Sequence, residues 1–179
     1  NVMHMAPTVL NALLQYYDQN SSYIEQAVRV VIAGSAPPPA FVRRVEKELG
    51  WDFIQVYGMT ESSPLSLISV VRSELKELST EEQYQIKSKA GISMVGCEVK
   101  VVTEHGEEVE HNGKEIGEVI TKSNGVMLGY WKNEEATMEA IKNGWLHTGD
   151  MATVDEYGHI DIVDRKKDVI ISGGENISS

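Results

Sequence analysis

The sequence is poor in several features that define large classes of protein. Its 179 residues include a single cysteine, Cys97, which excludes a disulfide framework and a cysteine-based metal site and is typical of an intracellular protein. It has no apolar run of the roughly 20 residues that a membrane-spanning helix needs. Its 5 histidines never occur at a His-x-x-His spacing. A histidine-based metal site is therefore not expected.

Positive charge is also scarce. The chain has 16 Lys and Arg against 27 Asp and Glu, and residues 91–179 hold 8 basic against 17 acidic side chains. Such a chain repels the nucleic-acid backbone and anionic lipid, so neither is expected as a partner. An anionic ligand would need a local binding feature that overcomes the repulsion from the net charge of -11.

The first segment, "NVMHMAPTVL", lacks both an initiator Met and the features of a signal peptide. It has no basic stretch followed by an apolar stretch and a cleavage site. We interpret the chain as an internal segment of a longer protein, and we expect a cytoplasmic location.

The first half of the chain has the pattern of a parallel α/β fold. A helix is predicted from Pro7, a strand over 28–34, a helix over 37–50 that ends at Gly50, and a strand over 51–58. The order strand, helix, strand predicts a right-handed βαβ unit. The loops that follow both strands then lie at the carboxyl edge, where such sheets bind ligands. Residues 72–91 are predicted to form a polar surface connection, with a short helix after a cap at Ser79 and Thr80.

The second half has a different pattern. Short alternating segments at 97–102, 117–123 and 158–164 predict antiparallel strands, in an arrangement resembling a small barrel. One helix is predicted over 133–144, with Gly144 as its end. The predicted fold class is therefore α/β, with a parallel βαβ segment followed by an antiparallel, barrel-like region.

Two loops at the predicted carboxyl edge carry candidate binding residues. In "VYGMTESSP", Tyr57 could stack on a base, Thr60 could contact a phosphate, and Glu61 is a hard oxygen ligand for Mg²⁺. Gly58 permits close backbone approach. The alternative is a helix N-terminus capped by Thr60. In "VIAGSAPPPA", small residues leave a flat surface against which a planar ring could lie; the alternative is a plain strand-to-helix turn.

The segment "GWLHTGDMATVDEYGHIDIVDRKKD" is the longest stretch that carries both strand-forming apolar residues and candidate polar binding residues. Asp150 is predicted to follow a Thr-Gly turn, where a carboxylate can accept both hydroxyls of a ribose. Arg165 lies beyond one hairpin and could fold back towards Asp150. A buried Asp–Arg pair without a ligand is the alternative.

Five motifs occur in the order "VYGMTE", "GEV", "GYW", "GWLHTGD" and "DRKKDVIISGGENI". Together they resemble the signature of the adenylate-forming superfamily, and their spelling is closest to that of fatty-acyl and related acyl-CoA synthetases. The resemblance implies part of the N-terminal domain of an enzyme that converts a carboxylic acid, ATP and coenzyme A into AMP and a thioester, with Mg²⁺. It also implies structural partners in the missing N- and C-terminal parts of the same enzyme.

The resemblance also implies roles for individual residues. Thr60 and Glu61 match the catalytic α-phosphate contact and the Mg²⁺ ligand. Ser35 departs from the glycine that is usual at its position in the family. The implied nucleotide-binding residues fall into three groups. Gly34, Ser35, Ala36 and Pro37 lie beside the adenine, and Tyr57 stacks on it. Gly58 and Met59 border the acyl pocket, Thr60 contacts the α-phosphate, Asp150 and Ile162 contact the ribose, and Arg165 contacts the nucleotide.

The end of the chain resembles a joint between domains. Lys167 stands at the family's hinge, and Ser172, Gly173, Gly174 and Glu175 resemble the loop used for thioester formation. The implied division has three parts: an α/β part with the adenine and Mg²⁺ motifs over 1–90, a β-rich part with the ribose-binding carboxylate over 91–163, and the hinge with the start of the C-terminal domain over 164–179.

Two parts of the family pattern are absent from the chain. The Ser/Thr/Gly-rich phosphate loop would precede Asn1, and the catalytic Lys would follow Ser179. We therefore expect the chain to be inactive alone. The acyl group expected from the wording of the motifs is a medium- or long-chain fatty acid. The alternatives are an adenylation domain that loads a carrier protein and a non-catalytic nucleotide-binding module.

Overall fold

The computed structural model describes residues 1–20, 26–165, 170–172 and 175–177. The chain divides into two compact units, the first of residues 1–57 and 68–91, the second of residues 58–67 and 92–179. The three-part division expected from the sequence stays a prediction.

The first unit is built on a largely parallel sheet. Its strands lie in the order β1-β2-β3-β4, and β1 pairs with β2 and β2 with β3 in parallel. The predicted βαβ unit is therefore confirmed as β2-α2-β3. The elements are β1 (Val2–Met5), α1 (Pro7–Asn20), β2 (Arg29–Ile32), α2 (Pro39–Glu48), β3 (Asp52–Tyr57), β4 (Leu67–Ser69), a 3₁₀ turn (Ser73–Leu75) and α3 (Thr80–Ser88).

The core of the first unit is formed by apolar side chains of α1, α2 and β3. Leu10 and Leu14 of α1 are fully buried, as are Val42 and Val45 of α2. Phe53 of β3 is fully buried too. Each buried apolar side chain contributes about 1.5–3 kcal/mol relative to an exposed one, so this cluster fixes the positions of β2 and β3. It thereby fixes the loops that leave their carboxyl ends.

The segment 72–91 is more than a polar surface connection. The predicted cap is confirmed, because the Ser79 hydroxyl accepts from the Glu82 N–H and the Glu82 carboxylate accepts from the Ser79 N–H. However, Tyr84 and Ile86 of α3 are buried, and the Ser69 hydroxyl donates to the Ile86 carbonyl at 2.7 Å. α3 is therefore a core helix of the first unit.

The second unit is the antiparallel region, as predicted. Its main sheet has the order β10-β9-β7-β6, with β8 paired to β9, and β11 and β12 form a separate antiparallel pair. The three predicted strands correspond to β6, β7 and β10. The elements are a 3₁₀ turn (Thr60–Ser62), β5 (Ile92–Ser93), β6 (Cys97–Val102), β7 (Gly117–Ser123), α4 (Glu134–Ala140), β8 (Ile141–Lys142), β9 (Trp145–Val154), β10 (Ile160–Arg165), β11 (Ile170–Ser172) and β12 (Glu175–Ile177).

The helices are short. Over the described ranges none is both long and apolar enough to cross a membrane. α4 is shorter than predicted: it ends at Ala140, because Ile141 and Lys142 pair with Leu146 and Trp145 of β9. Gly144, with φ of +79°, belongs to the turn of this small hairpin and does not end the helix.

Candidate nucleotide-binding site

The loop after β2 is exposed at its tip and anchored at its exit. Gly34, Ser35 and Ala36 are exposed, whereas Pro37 is buried. Gly34 has φ of +110°, a conformation that favours glycine and turns the chain sharply out of the strand. The loop therefore presents backbone and small side chains to solvent, as the sequence predicted for a surface that could meet a planar ring.

Gln55 supports this loop from the neighbouring strand. Its side chain is only 3% exposed, and its amide nitrogen donates to the Ser35 carbonyl at 3.3 Å. Its Oε1 atom has no hydrogen-bond partner among the described residues. A buried acceptor without a donor is unfavourable by about 1–3 kcal/mol, so this oxygen is a candidate ligand contact beside the loop.

An open cavity of about 250 Å³ lies next to the same loop. Ser35, Ala36 and Pro37 line one side, and Thr8 and Asn11 of α1 line another. Tyr57, at the end of β3, is half-buried. The first unit thus has an exposed loop of small residues beside an open cavity, which suits a planar, partly apolar group, whereas Tyr57 is not among the residues that line this cavity.

In the second unit, Gly58 makes the close backbone approach that was predicted, but to its own chain. A Cβ atom at Gly58 would overlap the Pro64 carbonyl oxygen and lie 2.7 Å from the Leu65 Cα. Real Cβ atoms essentially never come within 3.0 Å of a non-bonded heavy atom. Gly58 therefore allows the segment 58–65 to fold back on itself.

That fold-back contains a 3₁₀ turn over Thr60–Ser62. The residue at the cap position is Met59, so the alternative in which Thr60 caps a helix is wrong. Ser62 closes the turn instead, because its hydroxyl accepts from the Met59 N–H at 3.1 Å and donates to the Met59 carbonyl. The Thr60 side chain is left exposed, and no hydrogen bond of it is recorded within the described part of the chain.

Glu61 is held by a segment far along the sequence. The Tyr130 hydroxyl donates to Glu61 Oε1 at 3.0 Å, and the Met127 N–H donates to the Glu61 carbonyl at 2.8 Å. Partial burial, and then the hydrogen bond to the Glu61 carboxylate, raises the pKa of the Tyr130 phenol above its ordinary value. At neutral pH the phenol therefore keeps its proton and remains a donor.

Asp150 and Arg165 meet across the β9-β10 hairpin. They are directly paired in the strand register, and Arg165 Nε lies 2.9 Å from Asp150 Oδ1. The Asp150 side chain is 9% exposed and the Arg165 side chain 67% exposed. Ile162, on the same strand as Arg165, is half-buried. The pair thus joins a buried carboxylate to a guanidinium in solvent, which is neither a fully buried pair nor a surface one.

The predicted Thr-Gly turn before Asp150 is wrong. β9 runs without interruption from Trp145 to Val154, and Gly149 forms a bulge within it, with φ of +72°. Glu118 of β7 stabilises this bulge, because its Oε1 accepts from the Gly149 N–H at 3.2 Å and its Oε2 lies 3.1 Å from His147 Nδ1. The bulge, rather than a turn, sets the direction of Asp150.

The remaining predicted residues lie near the end of the chain. Lys167, Gly173 and Gly174 lie outside the described residues. Ser172 and Glu175 are paired with each other, at the ends of β11 and β12. Their roles as hinge and thioester loop are untested.

Comparison with known proteins decides the family. Residues 1–131 match the family described as AMP-binding enzyme. The chain belongs to the AMP-binding enzyme family. This match spans the loop at Gly34, the "VYGMTE" motif and Tyr130, and it confirms the resemblance found from the ordered motifs.

Relatives of this chain include several CoA ligases. It is 41% identical to the peroxisomal trans-cinnamate:CoA ligase of Petunia hybrida over 99% of its length, and 42% identical to 4-hydroxybutyrate–CoA ligase 2 of Metallosphaera sedula over 99%. The structure of O-succinylbenzoate coenzyme A synthetase from Bacillus subtilis, in complex with ATP and magnesium ion, matches 99% of the chain with a TM-score of 0.79 and 30% identity. The chain covers 32%, 33% and 34% of these proteins respectively, about a third of their length.

Three side chains that contribute to the candidate sites of this chain were not predicted from the sequence. Gln55 directly precedes the "VYGMTE" motif, and its strand pattern alone would have placed it on a buried face. Tyr130 and Glu118 lie within the quoted motifs "GYW" and "GEV". Their presence in the motifs was a signal, but their partners, Glu61 and Gly149, are too far along the chain to be inferred from spacing.

Proposed function

We propose that this chain is part of an AMP-forming acyl-CoA ligase. In the first step a substrate carboxylate oxygen attacks the α-phosphorus of ATP, and the bond to pyrophosphate breaks. In the second step a CoA thiol attacks the acyl carbon of the adenylate, loses its proton, and AMP leaves. The observation that carries the proposal is the Asp150–Arg165 pair, in which two residues assigned to the nucleotide come within 2.9 Å of each other.

The adenine is assigned to residues of the first unit. The flat loop from Gly34 to Pro37 and the ring of Tyr57 suit the two faces of a base. The partnerless Oε1 of Gln55 is an acceptor, which suits an exocyclic amino group. Formation of that hydrogen bond would remove the cost of an unsatisfied buried oxygen.

The ribose and the phosphates are assigned to the β9-β10 hairpin and to the turn over Thr60–Ser62. Asp150 Oδ1 and Oδ2 can accept from ribose hydroxyls, while the exposed Arg165 guanidinium can reach towards phosphate or ribose oxygens. Ile162 supplies an apolar surface. The Thr60 hydroxyl is exposed and suits a contact with an α-phosphate oxygen. Catalysis by such groups consists mainly of positioning and charge stabilisation.

Glu61 fits the proposed Mg²⁺ site. One carboxylate oxygen accepts from Tyr130, and the other has no hydrogen-bond partner among the residues described. Within those residues no cluster of three His, Cys, Asp or Glu could hold a metal alone. A single carboxylate with one oxygen available suits Mg²⁺, which typically binds one or two carboxylates together with substrate phosphates and water. When bound, Mg²⁺ would offset phosphate charge in a chain of net charge -11.

The test uses the complete ligase, by which we mean the longer protein that contains this chain. With ATP, Mg²⁺, CoA and a panel of carboxylates, we expect equal amounts of AMP and acyl-CoA. The panel contains cinnamate, 4-hydroxybutyrate, o-succinylbenzoate, a medium-chain and a long-chain fatty acid. We expect a fatty acid to be the best substrate, on the wording of the motifs; the relatives described above are named for cinnamate, 4-hydroxybutyrate and o-succinylbenzoate. Transfer of the acyl group only to a carrier-protein thiol would favour the adenylation domain that loads a carrier protein. ATP binding without AMP formation would favour the non-catalytic nucleotide-binding module.

The isolated 179-residue chain is expected to form no acyl-AMP. The resemblance implies that the family's phosphate loop would precede Asn1 and its catalytic Lys would follow Ser179, and both would supply positive or hydrogen-bonding groups to the phosphates. The measurement is mass spectrometry of acyl-AMP after incubation with ATP, Mg²⁺ and the best carboxylate of the panel. Detection of acyl-AMP above the level found without the chain would contradict the expectation.

The roles of the chain's last part are proposals as well. We assign Lys167 to a hinge and Ser172, Gly173, Gly174 and Glu175 to the thioester step, on the match of the motif "DRKKDVIISGGENI" to the family pattern. We also propose a cytoplasmic location, although the Petunia relative is named as peroxisomal. A fluorescent fusion of the complete ligase, imaged in its own cell type, tests the location.

A further inference from the structure

The Glu61 carboxylate is fixed on one side only. Its Oε1 accepts the Tyr130 hydroxyl at 3.0 Å, from a residue 69 positions further along the chain. Its Oε2 has no donor recorded among the described residues. A glutamate side chain loses about 1.5–2 kcal/mol of conformational free energy when it is held in one rotamer. Tyr130 therefore supplies an ordering interaction that Glu61 does not obtain from its own 3₁₀ turn.

Tyr130 is itself held firmly by the start of α4. Its N–H donates to Thr137 Oγ1 at 2.9 Å, and its carbonyl accepts from the Asn133 N–H at 3.2 Å. The Thr137 hydroxyl donates to the Asn133 carbonyl at 2.8 Å, which closes the network. At Gly129, a Cβ atom would lie 2.7 Å from Thr137 Cγ2, so the chain before Tyr130 packs directly on this helix. The phenol is thus presented from a rigid backbone.

A main-chain contact holds the same two segments together. The Met127 N–H donates to the Glu61 carbonyl at 2.8 Å. A Cβ atom at Gly125 would lie 3.0 Å from the Ser62 carbonyl oxygen, which is another close approach between the segments. Because these contacts involve main-chain atoms, they remain when the Tyr130 hydroxyl is removed. Loss of that hydroxyl therefore changes the carboxylate without separating the segments.

We propose that Tyr130 is the positioning residue for Glu61, holding Oε1 so that Oε2 faces the Mg²⁺ of bound MgATP. This inference rests on the proposed function. A pre-oriented carboxylate binds a metal more tightly than a mobile one, because the ordering cost is met before the metal arrives. In this arrangement Tyr130 contacts the metal ligand and not the nucleotide. Its effect must therefore depend on the metal.

The experiment measures ATP binding to the complete ligase by isothermal titration calorimetry, with Mg²⁺ in one series and with EDTA in the other. In Tyr130→Phe we expect affinity for MgATP to fall about fivefold to tenfold, as for the loss of one hydrogen bond. Affinity for metal-free ATP is expected to change less than about twofold, within ordinary variation between similar variants. The Mg²⁺ concentration for half-maximal acyl-AMP formation is expected to rise by the same factor as the MgATP dissociation constant.

The matched control is Tyr16→Phe, which removes the hydroxyl of a tyrosine that is 63% exposed in the first unit. It is expected to bind ATP as the unsubstituted protein does in both series. In Glu61→Gln, affinity for MgATP is expected to fall at least as far as in Tyr130→Phe. Addition of Tyr130→Phe to Glu61→Gln is then expected to have no further effect, because the two side chains act as one unit.

If Tyr130→Phe folds poorly, as judged by its thermal unfolding midpoint, Thr137→Val provides a second variant. It removes the acceptor for the Tyr130 N–H and keeps the phenol, and a smaller loss confined to MgATP is expected. Equal losses with and without Mg²⁺, or no loss at all, would overturn the role of Tyr130 while leaving the ligase activity standing. Failure of the unsubstituted protein to bind MgATP or to form acyl-AMP would instead overturn the proposed function, and this inference with it.

Discussion

Replacement of Gly58 by alanine is expected to destabilise the protein by more than about 4 kcal/mol, enough to unfold many domains. The Cβ atom would overlap the Pro64 carbonyl oxygen and lie 2.8 Å from the Pro64 carbonyl carbon. These are backbone atoms, so they cannot move aside as a flexible side chain can. The measurements are the soluble yield of the complete ligase and the midpoint of its denaturant-induced unfolding.

Gly96→Ala is the control for backbone conformation. Gly96 has φ of +87°, but a Cβ atom there would have no neighbour within 4 Å. Its replacement is expected to cost about 1–2 kcal/mol, which is the ordinary cost of placing a side chain in the left-handed region. If Gly96→Ala proved as damaging as Gly58→Ala, close approach would not be the reason for glycine at position 58.

Replacement of Asp150 by asparagine is expected to lower kcat/KM for ATP about hundredfold. Two hydrogen bonds to a charged carboxylate, each worth about 1.5–3 kcal/mol, would become weaker ones to an amide. Stability is expected to change little, because the Arg165 guanidinium that loses its partner is already 67% exposed. Steady-state kinetics with ATP varied at saturating carboxylate, together with a thermal unfolding curve, measures both effects.

Asp52→Asn is the control for the loss of an ion pair. Asp52 Oδ2 lies 2.8 Å from Arg29 Nε in the first unit, and both side chains are about half exposed. No nucleotide role is assigned to Asp52. Its kcat/KM for ATP is expected to stay within about twofold of the unsubstituted value. An Asp150→Asn variant with unchanged kcat/KM would refute the assignment of Asp150 to the ribose.

Local signals allowed most of the fold to be predicted. Pro7 at the start of α1, the spacing of Leu10 and Leu14, and Gly50 after α2 each act within a few residues of the feature they determine. The turn that was wrongly predicted before Asp150 has the opposite property. Whether Thr148 and Gly149 form a turn or a bulge depends on Glu118, which accepts from Gly149 across 31 positions of the chain. No local pattern contains that information.

In the candidate site, too, local features could be predicted and contacts between distant segments could not. Thr60, Glu61 and Tyr57 could be predicted because they leave a strand end together, in one short motif. The partner of Glu61 could not, because Tyr130 approaches it only after the strands of the second unit have formed. Likewise, the loop at Ser35 is visible as a run of small residues. The support that Gln55 gives it becomes apparent only when β2 and β3 are placed side by side.

The hairpin pair of Asp150 and Arg165 has a thermodynamic consequence. Arg165 occupies one oxygen of the carboxylate that is proposed to take the ribose hydroxyls. If ribose and guanidinium compete for that oxygen, then nucleotide binding weakens the hold on Arg165. Linkage is reciprocal, so withdrawal of the guanidinium from that oxygen raises the affinity of that oxygen for a ribose hydroxyl by the same factor, apart from any contact that Arg165 itself makes to the nucleotide. The position of the Arg165 side chain at the end of β10 would then depend on whether nucleotide is bound.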